Sequence, residues 1–189
     1  MPAYLLTAPA AEPLSLVDAK RFLRVEHGDD DAIIASLISA ARNHVEALTR
    51  SVLIAQTWRL VLDCWPGGGR ITPRIGPLRG LVAARVFSAA NDASAIDPEI
   101  FVIDAAAGVI AAPSWSLPVP GRSIAGIELD IDVGFGEAAS DVPPTLLQAI
   151  RMLVAHWYEN RGLIAIGQSV AMMPASVNAM ISSHRVLSL

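Results

Sequence analysis

TWRLVLDC, residues 57–64, is where the chain changes its period. Trp58, Leu60, Leu62 and Cys64 alternate with Arg59, Val61 and Asp63, the two-residue spacing of a strand with one face turned inward. Upstream, apolar residues recur at three and four. Downstream, alternation persists until Asp141, where the helical period returns. Two switches predict an α+β chain: a helical bundle module made of N- and C-terminal helices, with a small antiparallel β module inserted over 56–136.

The upstream part divides into two helices. Ser15 precedes LVDAKRFLRVE with Asp18 three residues on, a capping-box spacing with Asp in place of Glu, so a first helix is expected over about 15–25. His27-Gly28 should end it. Asp29, Asp30 and Asp31 then suit the positive end of a second helix. Its stripe is Ile34, Leu37, Ile38, Ala41, Val45 and Leu48, with Arg42 and Glu46 one turn apart on another face.

Past residue 64, Pro66-Gly67-Gly68-Gly69 breaks the chain. Strand-like runs follow at LVAARVF (81–87), EIFVID (99–104) and VIA (109–111), with Asn91-Asp92 and Gly108 as turn signals. The clearest run has Ile127, Leu129, Ile131, Val133 and Phe135 alternating with Glu128, Asp130 and Asp132. In DVPPTLLQAIRMLVAHWYENRG (141–162), Asp141 is a plausible N-cap and Pro143-Pro144 suit a first turn. Leu147, Ile150, Val154 and Trp157 form the packing stripe, widened by Leu146, Leu153 and Tyr158, and Gly162 is a stop signal. The expected organisation is a helical core of 14–50 plus 141–162, the β module at 56–136, and a C-terminal segment, 163–189, in which Arg185 is the only charged side chain.

Composition excludes several classes. Hydrophobic residues are 53% and charged residues only 17%, enough for a core and little for a free surface, as in a protein that covers part of itself against partners. A net charge of −4 argues against general nucleic-acid binding. The charge is uneven: residues 51–85 sum to +4 and residues 86–136 to −6, which suits contact between copies or pairing within the chain. Arg70, Arg74, Arg79, Glu128, Asp130 and Asp132 are the candidates for a charged channel or contact surface. Cys64 is the only cysteine, so no intrachain disulfide and no cysteine-based zinc site is expected. MPAYLLTAPAAEP carries no basic leader, and no run reaches the length of a membrane span, so a protein with no membrane role, made in a reducing cytoplasm, is expected.

No catalytic or metal-binding set emerges, and no cofactor is expected. His156 and Glu159 lack the second histidine of a metalloprotease helix and read as residues at the end of a packing helix. The consecutive aspartates at 29–31 lack the alternate spacing of a calcium loop. Gly67-Gly68-Gly69-Arg70 lacks the Lys-Ser/Thr of a phosphate loop. Glu128, Asp130 and Asp132 line one face of one strand and could gather a cation, but carboxylates of a single strand seldom converge on one point, so a solvated or interface face is expected.

Three stretches together resemble the head–tail connector (adaptor) proteins of long-tailed bacteriophages and gene transfer agents. They are LSLVDAKRFLRVEHGDDDAIIASLISAARNHVEALTR (14–50), LIAQTWRLVLDCWP (53–66) and DVPPTLLQAIRMLVAHWYENRG (141–162), with a fainter echo in PASVNAMISSHRV (174–186). The acidic row at 128–132 departs from the family pattern. The resemblance implies a structural virion protein at the head–tail interface. It implies a ring of copies, typically twelve, beneath the portal protein, and a tail-side connector or stopper below it. DNA would pass through without sequence-specific contact. It further implies that the C-terminal segment docks on the portal, through Ile166, Val170, Met172, Met173, Val177, Met180, Ile181, Val186 and Leu187. The competing class is a DNA-contacting or enzymatic packaging accessory, which would need a basic patch or a pocket of converging titratable groups.

Overall fold

The computed structural model describes residues 1–160, 164, 165, 168, 169 and 173–185. The chain forms two units, Met1–Pro9 with Ala55–Phe135, and Ala10–Ile54 with Gly136–Leu189.

The first unit is antiparallel β structure in two sheets. The larger has five strands in the order β1 (Ala3–Thr7), β2 (Gln56–Leu62), β8 (Ile127–Val133), β4 (Leu78–Phe87) and β5 (Ala93–Ile96). The smaller runs β3 (Arg70–Ile71), β7 (Val109–Ala111), β6 (Val102–Asp104). TWRLVLDC supplies most of β2, which pairs with β8 along its whole length, Gln56 opposite Val133 through Leu62 opposite Ile127. The central position of β8 explains its sequence. Ile127, Leu129, Ile131 and Val133 are fully buried on one face, each such side chain stabilising by roughly 1.5–3 kcal/mol. Gly69 ends the Pro-Gly-Gly turn at φ +63°, and a Cβ there would stand 2.1 Å from the Ala112 carbonyl oxygen, so only glycine fits.

Two expectations for this unit change. The N-terminal segment carries an edge strand, β1, that the composition did not suggest. EIFVID is not one strand: Asp97 accepts a hydrogen bond from the Glu99 N–H, turning Pro98–Ile100 into a single 3-10 turn before β6.

The second unit contains the helices α1 (Leu16–Leu23), α2 (Asp31–Thr49), α3 (Pro144–Glu159) and α4 (Ala175–Ser182), and a two-stranded pair, β9 (Ile164–Ala165) with β10 (Gln168–Ser169). Ser15 caps α1 as the spacing predicts, its Oγ accepting from the Asp18 N–H at 3.1 Å. The helix stops before His27-Gly28, at Arg24, which adopts a left-handed conformation (φ 58°) and closes the last turn onto the Lys20 and Arg21 carbonyls. On α2, Ile34, Ile38, Ala41, Val45 and Thr49 are buried. α3 packs against both α2 and α4.

Asp141 does not cap α3. It closes a 3-10 turn, Ala139–Asp141, and its carboxylate accepts from the Ala138 N–H at 3.0 Å. The same carboxylate lies over Gly136, where a Cβ would be 2.1 Å from Oδ2. The helix begins with Pro144 and ends at Glu159; Gly162, its expected stop, lies outside the described residues. The buried centre of its stripe is Leu146, Ala149, Ile150, Leu153 and Val154. Leu147, Trp157 and Tyr158 flank that centre, half-buried. Seven residues per two turns cannot all face one line, and the apolar run is wide enough to cover two neighbouring helices.

Candidate functional site

Four of the six residues expected to form a charged channel or contact surface, Arg79, Glu128, Asp130 and Asp132, lie in a paired layer on β8 and its neighbouring strand. Arg59 stands directly opposite Asp130 across the β2–β8 ladder, and Arg85 directly opposite Glu128 across β4–β8. Arg59 donates to Asp130 in bidentate fashion, Nε to Oδ1 at 2.7 Å and Nη2 to Oδ2 at 3.0 Å. Arg85 Nη2 donates to the same Oδ2 at 2.7 Å. Glu128 Oε2 lies 3.2 Å from Arg59 and 3.4 Å from Arg85. Arg79 donates to Asp132 at 2.8 Å.

Three arginines thus balance three carboxylates, and Asp130 at the centre is only 5% exposed. Burial by itself would push the Asp130 carboxyl up. The hydrogen bonds and charges of Arg59 and Arg85 outweigh burial and hold it below the usual carboxylate range. The same hydrogen bond to Asp130 raises the pKa of Arg59. The segmental imbalance of the sequence is therefore resolved by pairing within the chain for Arg59, Arg79 and Arg85. Arg70 and Arg74 remain exposed on the smaller sheet and the loop after β3.

The helical unit has a second network that the sequence only half disclosed. Arg42 donates to Glu46 at 3.0 Å, the expected one-turn pair, and also to Glu12 at 2.8 Å. Glu12 accepts from Ser39 Oγ at 2.7 Å, and Glu46 from the Leu53 N–H at 2.9 Å. Glu12 is thirty residues from Arg42, beyond any local spacing rule.

The DVPP helix answers to packing. Trp157 meets His44 edge to face, with ring centres 5.8 Å apart, and the Tyr158 hydroxyl donates to Asp30. Lys20 and Asp31 pair at 2.6 Å, so the aspartate run at 29–31 ties α1, α2 and α3 together. His156 is half-buried, and its carbonyl accepts from the Asn160 side chain at 2.8 Å in a helix C-cap, while Glu159 is exposed. Among the described residues, no group of three His, Cys, Asp or Glu side chains is placed to hold a metal ion. No described helix is long and apolar enough to cross a membrane.

The C-terminal segment needs one correction. Val177 and Ile181, counted among the docking residues, are fully buried on α4 within their own unit. Their four-residue spacing points them inward together. His184 adds two ties: its Nε2 lies 2.7 Å from Thr145 Oγ1, and its carbonyl accepts from Ser51 Oγ at 3.4 Å. Met173 and Met180 are half-buried; Ile166, Val170, Met172, Val186 and Leu187 lie outside the described residues.

A family model described as phage gp6-like head-tail connector protein matches residues 122–185. The whole chain superposes on a chain from the neck of an empty gene transfer agent (GTA) particle computed with C6 symmetry, with TM-score 0.82 and 30% identity. The virion of a native gene transfer agent particle contains a similar chain, TM-score 0.80 and 29% identity. So does the neck of a native particle computed with C12 symmetry, TM-score 0.78 and 28% identity. In each case all of this chain and 97% of the other are covered. No curated protein sequence matches the chain.

Proposed function

The chain belongs to the phage head–tail connector family and is a structural component of the head–tail junction of a phage-like particle; from that premise we propose that it assembles as a ring, of about twelve copies, between the portal and the tail-side proteins. The observation that carries this reading is similarity over both units, end to end, to chains taken from particle necks.

The physical chemistry supports a passage for DNA in place of a grip on it. Affinity for a duplex grows with the number of phosphates neutralised by Lys and Arg. Here Arg42, Arg59, Arg79 and Arg85 are each bound to carboxylates of the same chain, and the net charge is −4. DNA moving through such a ring meets a surface that does not hold it, with Arg70 and Arg74 as exposed cations of the smaller sheet and its loop. The role is structural and needs no catalysis, metal or cofactor.

Portal docking by the segment 163–189 remains part of the proposal, narrowed to the residues other than Val177 and Ile181. Adaptable methionines suit a contact of this kind. A native mass spectrum of the full chain, alone and with the partner portal, tests the reading. A ring of defined copy number, joined to portal, is expected; a chain that stays monomeric in both samples refutes it. Exchanging Met172→Asp or Leu187→Asp should abolish the joint species and leave the fold intact. Unchanged joint species in both variants would remove the docking assignment.

A further inference from the structure

The most exposed large apolar side chains in the β unit are gathered on one loop. Between β7 and β8, Trp115, Val119 and Ile124 are 88%, 89% and 75% exposed. Exposed loops are ordinarily polar, and an apolar surface of this kind marks a contact site. This loop is also held in place. Trp65 Nε1 donates to the Pro118 carbonyl at 2.8 Å, and the Gly121 N–H donates to the Phe87 carbonyl at 2.8 Å. The Ala125 N–H donates to Asp63 at 2.8 Å, and the Arg122 guanidinium stacks 3.8 Å over the Phe87 ring while donating to the Ala125 carbonyl. Gly121 and Gly126 sit where a Cβ would come within 2.3 Å and 2.6 Å of neighbouring atoms. A loop so anchored loses little freedom when its tip binds, and tryptophan is among the residue types enriched at the energetic centre of interfaces.

The same unit carries a second apolar patch of different form. β1 is an edge of the five-stranded sheet, and Tyr4, Leu5 and Leu6 are each about half exposed. Natural edge strands are ordinarily blunted by charge or by an inward lysine. This one carries no charge; Pro2 and Pro9 flank it and its register shifts between Leu5 and Thr7, so what it offers is apolar side chains and not a long open ladder. The two patches are separate. Leu5 stands opposite Trp58, four residues before the end of β2 at Leu62, about 14 Å along a strand. The loop is anchored beyond that end, on Asp63 and Trp65.

Both patches lack charge. Residues 1–11 contain no charged side chain, and 113–121 contain none either; Arg122 is engaged on Phe87 and Ala125. Cyclic symmetry requires each copy to present two different, complementary patches, one to each neighbour. Two rigid, uncharged apolar patches on one unit meet that requirement, and they suit one another better than the acidic surface between β5 and β6, where Asp97, Glu99 and Asp104 lie.

We propose that the Trp115–Ile124 loop of one copy seats on the N-terminal edge strand, Tyr4–Leu6, of the next copy, and that this contact closes the ring. The inference rests on the ring reading above and deepens it by naming the two faces. Because both are uncharged, assembly through them should strengthen or hold as salt rises.

Cross-linking tests it. In a Cys64→Ser chain, which removes the exposed native thiol, Val119→Cys and Leu5→Cys are introduced singly, and the two chains are mixed under assembly conditions with a short bis-maleimide. A covalent dimer in the mixture, and in neither chain alone, is the expected result. A chain with both changes should give a ladder reaching the ring's copy number. Rings visible in the native mass spectrum without mixed cross-links overturn the proposal, as does Val119→Cys joining to itself or to portal. In parallel, Trp115→Asp should raise the concentration needed for half-assembly at least tenfold, with an unchanged circular dichroism spectrum; assembly at the wild-type concentration overturns it. If the Cys64→Ser chain forms no ring with or without portal, the ring reading itself fails and this contact falls with it.

Discussion

Asp130→Asn is the sharpest test of how the β unit is held together. The carboxylate accepts three hydrogen bonds from two guanidiniums at 2.7–3.0 Å and is 5% exposed. The amide keeps the shape, removes the charge and turns one acceptor into a donor facing an arginine. Breaking a buried pair costs about 3–5 kcal/mol when the remaining charge is sealed in. Arg59 and Arg85 have side chains 27% and 30% exposed and can recover some hydration, which brings the expected loss to about 2–3 kcal/mol at pH 7. For a chain of this size that is about 4–12 °C in its thermal transition. The pH dependence gives the loss its signature. The folded carboxyl titrates below its unfolded value of about 3.9, so its contribution is complete above that pH and is lost as pH falls through the folded value. The gap between wild type and variant should therefore be constant from pH 8 to about 5 and shrink below about 4. Urea melts followed by tryptophan fluorescence at several pH values measure it. Equal stability at pH 7, or a gap that stays the same in acid, would refute the account.

Ile181→Ala should destabilise the helical unit by about 2–5 kcal/mol, the cost of a cavity at a fully buried site, measured by thermal melting; an unchanged melt would mean that α4 is not part of the core. Gly69→Ala should cost several kcal/mol in a urea melt, since the new methyl meets the Ala112 carbonyl at a positive φ, whereas Gly68→Ala, with open space around it, should cost under about 1 kcal/mol. Arg42→Ala leaves Glu12 and Glu46 without their shared cation and should cost about 2 kcal/mol in a urea melt at pH 7; an unchanged melt would mean that the pairing contributes nothing to the helical unit. His156→Ala combined with Glu159→Ala should leave the metal content of the purified protein unchanged by elemental analysis; loss of stoichiometric metal would refute their packing role.

Periodicity made the element types legible, because a strand or helix with one buried face must repeat at two or at three to four residues. β2, β7, β8, α2 and most of α3 were visible for that reason, and so was the Ser15 cap, whose partner lies three residues away. The family too was legible, because the quoted stretches occupy both ends of the chain in order. Long-range partners were not. The acidic row at 128–132 looks like a solvated or channel-facing edge until β8 is placed between β2 and β4, when arginines from both sides neutralise it. Edge strand β1 has no period to announce it and exists because β2 offers a free ladder. Val177 and Ile181 looked like docking residues in an uncharged tail. Their burial depends on α3 and α2, which pack against α4 and lie far from it in the sequence. Local spacing encodes which face of an element is apolar; only the assembled fold decides what that face, or the charged face behind it, will meet.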